Sequence, residues 1–125
     1  MKSDAFRSAA EAKDFGAAES LFAEDVSFRS PVVYKPYEGR DAILVLLGAV
    51  ARVFQDFRYV DQVETGDTAV LVFEARAGDR ELQGVDILRF DGEGRIREMI
   101  VMVRPMSGVH ALAEEMQRQL DAATG

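Results

Sequence analysis

Three observations predict an α+β fold. Apolar residues recur at helical spacing in the first half of the chain, the second half alternates with period 2 between glycine-containing turns, and an amphipathic stripe closes the sequence. Helices followed by a meander of strands place the helices over one face of a mainly antiparallel sheet. At 125 residues and 13.8 kDa the chain has room for one domain, residues 1–125.

The elements follow in order. Ser3 reads as an N-cap, and Phe6, Ala9, Ala10, Phe15, Ala18, Leu21 and Phe22 repeat at roughly helical spacing. Gly16 divides this stretch into two helices. Val26 to Ser30 alternates as a strand ended by Pro31, and Pro31 to Gly39, with two prolines and two tyrosines, reads as a loop. Arg40 to Phe54 is a third helix with an apolar middle. Phe57–Glu64, Ala69–Arg76, Glu81–Phe90 and Arg95–Arg104 are strands joined by short glycine turns, which implies antiparallel hairpins. From Val109, Leu112, Ala113, Met116 and Leu120 form one stripe of a final helix.

Composition excludes much chemistry. Cysteine is absent and there is one histidine, which removes disulfides, thiolate nucleophiles and the usual zinc sites, so no metal and no cofactor is expected. A net charge of −7 argues against a nucleic-acid surface, which needs a basic stripe. The longest uncharged apolar run, Ala42 to Ala51, falls short of the ~18–20 residues of a membrane span. The N-terminus has no apolar core of signal-peptide length, so a cytoplasmic location is expected.

Parity along the strands points to a site. Leu82, Gly84, Asp86, Leu88 and Phe90 share the face that lies under helices, where a carboxylate is out of place. Val85 and Ile87, with Ile100 and Met102 of the next strand, point the other way. Both sheet faces are therefore partly apolar, and a homodimer formed through the outer face is expected.

Three stretches carry a family resemblance: Leu21–Phe28 (LFAEDVSF), Tyr37–Ile43 (YEGRDAI) and Val85–Ile96 (VDILRFDGEGRI). In their order and spacing the chain resembles the NTF2-like superfamily, which includes ketosteroid isomerases, SnoaL-type polyketide cyclases and limonene-epoxide-hydrolase-like enzymes. The resemblance implies a cone of N-terminal helices on a curved, mainly antiparallel sheet, with a C-terminal helix and an apolar pocket. Carried over from the ketosteroid isomerases, Asp86 falls on the oxyanion-hole aspartate. The general-base aspartate, which precedes a proline at the end of the first strand, becomes Ser30 before Pro31. The oxyanion tyrosine of the first helix becomes Phe6. Two of three roles are missing, so isomerisation by that mechanism is not expected. The last strand, Ile100–Val103, also lacks the acid that cyclases and epoxide hydrolases of the superfamily carry there.

Asp86 reads either as a pocket acid, kept protonated by burial, or as a structural carboxyl satisfied by a tyrosine, an arginine or a water. Phe28, Ser30, Tyr34, Tyr37, Phe54, Phe90, Met99, Val101 and Val103 are the expected pocket residues, with Tyr34 and Tyr37 as lid candidates. Arg29, Arg58 and Arg104 are candidate contacts for an acidic ligand. His110 is expected on the surface. Two functions fit: a small-molecule-binding protein for a hydrophobic ligand, of isomerase, cyclase or hydrolase type acting through Asp86, or a non-catalytic dimeric ligand carrier or interaction module.

Overall fold

The computed structural model describes residues 1–124. In chain order the elements are α1 (Asp4–Glu11), β1 (Phe22–Arg29), β2 (Tyr37–Glu38), α2 (Arg40–Val53), β3 (Gln55–Thr65), β4 (Thr68–Ala77), β5 (Arg80–Phe90), β6 (Ile96–Arg104) and α3 (Met106–Thr124). The six strands form one mixed sheet in the order β2-β1-β6-β5-β4-β3. All pairs are antiparallel except β1 with β6. Three helices cover one face, giving the α+β architecture that the patterning predicts. No described helix is long and apolar enough to cross a membrane.

The strands of the second half run one or two residues beyond their expected ends at most, because glycine turns punctuate them clearly. Gly66 and Gly78 both take positive φ, the conformation tight hairpin turns require. The first half departs further. The second helix expected after Gly16 is only a 3-10 turn, Glu19–Leu21. Lys13 adopts a left-handed φ of 57°, which ends the helical path, and the Ala17 N–H is taken by the Asp14 side chain. The apolar residues beyond it still bury: Ala18 and Phe22 are fully enclosed, and Phe22 meets Phe6 edge-on at 6.2 Å. Helical spacing there reflects shared burial, without the helix.

Ser3 stands at the N-cap position of α1 but its side chain does not cap. Its hydroxyl instead donates to Glu64 of β3 at 2.8 Å, tying the helix start to the sheet. β1 begins at Phe22, ahead of the alternating segment, because its register with β6 shifts between Phe22 and Ser27. The loop expected between Pro31 and Gly39 contains β2, which pairs Tyr37 with Phe28.

Burial follows strand parity closely. Ala69, Leu71, Phe73, Ala75 and Ala77 of β4 and Leu82, Gly84, Asp86, Leu88 and Phe90 of β5 all face the helices and are buried. On the opposite face two rows cross four strands in register. Val63, Val70, Ile87 and Ile100 form one row, and Asp61, Val72, Val85 and Met102 form the next.

Candidate functional site

The inner face of the sheet and the three helices enclose a cavity of about 180 Å³. Its wall is overwhelmingly apolar, and among the described residues its only charged side chains are Asp86 and Lys13. Four aromatic rings build one side. Phe57 lies 5.6 Å from Phe54 and 5.1 Å from Phe73, centroid to centroid, and meets Tyr59 edge-on at 4.9 Å. Gly84 makes this wall possible: a Cβ there would sit 2.3 Å from Phe73 Cζ and 2.7 Å from the Met102 carbonyl oxygen. The Phe73 ring occupies the space a side chain on β5 would need.

Asp86 is 4% exposed and faces the cavity. Tyr59 Oη donates to its Oδ2 at 2.5 Å. The two residues stand on β5 and β3 with β4 between them: Asp86 is opposite Leu71, whereas Tyr59 is opposite Phe73. A long phenol spans that diagonal. Burial raises the Asp86 carboxyl to about 7, and the Tyr59 hydrogen bond, which favours the ionised form, opposes the rise. Burial together with the neighbouring Asp86 pushes the Tyr59 phenol well above its ordinary value, so it remains a donor. Arg7 flanks Tyr59 from the rear, its guanidinium 5.9 Å from the ring centre and bonded to the Tyr59 carbonyl at 3.4 Å. One carboxyl oxygen is thus engaged, and among the described residues no further hydrogen bond reaches the group. A neutral acid held this way can donate one hydrogen bond to an acceptor oxygen in the cavity.

The structure brings Phe28, Ser30, Tyr37, Phe54, Met99 and Val101 to the cavity wall along with Asp86. Three expected pocket residues lie elsewhere. Tyr34 is 95% exposed, because the loop turns it out to solvent, so it forms no lid here. Phe90 is buried at the far end of β5, where Lys2 sits over its ring, and Val103 packs against the core without lining the cavity. Ser30 does reach the wall, but its Oγ accepts the N–H groups of Val32 and Val33 and so organises the loop. Phe6 is 1% exposed and presents a ring without a hydroxyl. Arg29, Arg58 and Arg104 lie off the cavity, the first two ion-paired with Glu98 and Glu74. His110 is exposed on α3. Among the described residues no three His, Cys, Asp or Glu side chains are grouped to hold a metal ion.

Sequence reasoning missed Tyr59, Phe57, Phe73 and Lys13. A usable signal existed for the first two: Phe57 and Tyr59 share parity on a strand next to the one that pairs with Asp86's strand. Leu112, Met116 and Leu120, read as the stripe of the last helix, also form cavity wall.

The SnoaL-like domain model matches residues 4–99, most of the chain, ending within the last strand and before the last helix. The chain belongs to the SnoaL-like family. Among solved structures, a steroid delta-isomerase from Pseudomonas aeruginosa is 43% identical, with a TM-score of 0.92 over 95% of this chain and 88% of that one. An uncharacterised protein with a cystatin-like fold from Silicibacter pomeroyi DSS-3 is 31% identical, with a TM-score of 0.92 over 95% and 84%. An NTF2-like protein of unknown function from Mesorhizobium loti is 25% identical, with a TM-score of 0.71 over 80% and 85%. Among curated proteins none matches. SnoaL-like membership establishes the fold and the broad isomerase and cyclase kinship; the chemistry of this member depends on which cavity residues it has.

Proposed function

We propose that this SnoaL-like protein binds an apolar molecule carrying a carbonyl or similar acceptor oxygen, with Asp86 as the protonated hydrogen-bond donor. The observation that carries the reading is a single, nearly fully buried carboxyl on an apolar wall, anchored by Tyr59 at 2.5 Å. As an enzyme it is a cofactor-independent isomerase, cyclase or hydrolase in type. The neutral Asp86 stabilises negative charge developing on the ligand oxygen, where the low-dielectric wall strengthens the interaction. The 43% identical steroid delta-isomerase supports an apolar, ring-sized ligand.

One observation favours a second reading, a non-catalytic ligand carrier. Ser30 is committed to its turn and Phe6 has no hydroxyl, so the cavity lacks both a carboxylate base and a second oxyanion donor. The apolar side chains of the two rows on the outer sheet face, all but Asp61 at one end, support a homodimer under either reading.

The test compares binding of androst-4-en-3-one with that of androst-4-ene, the same skeleton without the carbonyl. The wild type is expected to prefer the ketone about tenfold, as one buried hydrogen bond to a strong donor provides. Asp86→Leu loses the preference and Asp86→Asn, which keeps a donor, retains part of it. Equal binding of both steroids to the wild type would show that Asp86 is structural.

A further inference from the structure

We infer that the ligand is an amphipathic acid: an apolar body whose anionic group rests at the cavity mouth on Lys13, opposite the oxygen that meets Asp86. The inference rests on the reading of Asp86 above and adds the second polar end of the ligand. The wall residues divide by exposure into a buried interior, which includes Asp86, and a solvent-facing rim formed by Lys13, Val32, Val33 and Gln117. Among the described residues Lys13 is the only charged one of that rim.

Two features hold the ammonium there. The left-handed φ of 57° at Lys13, uncommon for a residue with a side chain, turns the chain at the end of α1. Lys13 Nζ then donates to the Phe54 carbonyl oxygen at 2.6 Å, on the edge of the aromatic wall. That partner is neutral, and among the described residues Lys13 takes part in no salt bridge. An ammonium has three N–H donors, so the Phe54 carbonyl leaves donors for a ligand. The charge matters more in this chain than in a neutral one. With a net charge of −7, the protein's overall field repels anions, and a local cation must reverse that at the mouth. A carboxylate there gains a charge-assisted hydrogen bond without leaving solvent entirely.

Lys13 also links the ends of α1 and α2, so the experiment has to separate recognition from scaffolding. The probes are 3-oxoandrost-4-ene-17β-carboxylic acid and its methyl ester, which share the enone and differ in charge at the other end. Dissociation constants are measured at low and high salt for the wild type, Lys13→Met and Lys13→Arg. Expected is an acid-over-ester preference of about fivefold or more in the wild type, weakened by salt. Lys13→Met abolishes it with ester affinity unchanged, and Lys13→Arg keeps it. Equal affinity for acid and ester in the wild type overturns this inference and leaves the Asp86 reading standing. Parallel loss of both ligands in Lys13→Met, with a lowered melting temperature, assigns Lys13 a structural role and overturns it as well. Failure of both probes to bind the wild type overturns it together with the reading it rests on.

Discussion

Asp86 concentrates the chemistry of this protein in one proton. In the folded chain it holds that proton up to about pH 7, whereas an unfolded aspartate releases it near ~3.9. Between those values the native state binds more protons than the unfolded one, so stability falls as pH rises. The contribution is fully present below the unfolded value and is lost by about pH 7, at up to ~1.4 kcal/mol per pH unit inside the window. Asp86→Asn, which matches the neutral acid in shape, removes this dependence. Its melting temperature relative to wild type is expected to rise from pH 5 to about pH 7 and to level off above it, and thermal melts from pH 5 to pH 8 check it; a mutant that loses stability at pH 8 would mean an ionised carboxylate is required. The Tyr59 hydrogen bond favours the carboxylate, so in Tyr59→Phe the Asp86 titration moves to higher pH, as carboxyl carbon NMR would report. Phe6 and Ser30 carry a further prediction. With neither a base nor a tyrosine at those positions, the wild type should show negligible turnover of a Δ5-3-ketosteroid. General-base catalysis contributes ~10²–10⁴-fold, so the double variant Phe6→Tyr, Ser30→Asp is expected to raise the rate measurably in an ultraviolet enone assay. Robust wild-type turnover would contradict this account of the site.

At the scale of elements, the cavity exists because β5 gives up a side chain. Gly84 lies opposite Phe73, and the ring leans across the gap to join Phe57 and Phe54. Gly84→Ala forces the Phe73 ring off its position, because a methyl and an aromatic carbon cannot share 2.3 Å. The expected cost is ~1–3 kcal/mol in chemical denaturation, with weakened ligand binding. Helix α3 closes the cavity from the other side by a similar device. Gly108 lets its first turn approach β5 closely: a Cβ there would meet the Leu82 Cβ at 2.8 Å. Leu112, 4% exposed, then packs against the core and the cavity wall. The sheet meander was legible from period 2 and turn glycines, since each strand has one buried face. The stretch after α1 was not, because burying Phe15, Ala18 and Phe22 needs only a compact turn, and apolar spacing does not distinguish that from a helix.

At the scale of the whole molecule, the outer sheet face carries partly exposed apolar side chains in register across four strands. On the outer face of the sheet Val63 and Met102 are 64% and 56% exposed, Val70, Val72, Val85, Ile87 and Ile100 lie between them, and Asp61 ends the second row on β3. Burying such rows against a second copy is the proposed arrangement. Light scattering at micromolar concentration is expected to give twice the 13.8 kDa chain mass. The variant Ile87→Lys, Met102→Lys places like charges on both sides of a two-fold contact and should halve it. A wild-type mass near that of one chain would rule the dimer out.

By itself the sequence determined the α+β class, the hairpin meander of the second half, the facing of its last two strands, and the anomaly of Asp86 among Leu82, Leu88 and Phe90. Within an unbulged strand, alternation with period 2 settles which way each residue points, and that property is local. Only the tertiary structure decided which inward residues share one cavity. Parity puts Phe90 and Val103 on the same face as Asp86, yet they pack outside the cavity, because the helices cover the sheet unevenly along the strands. The same reason governs the residues that parity could not join. Tyr59 reaches Asp86 diagonally across β4, and Lys13 arrives from the end of another element, so both contacts depend on how distant segments pack rather than on spacing along the chain.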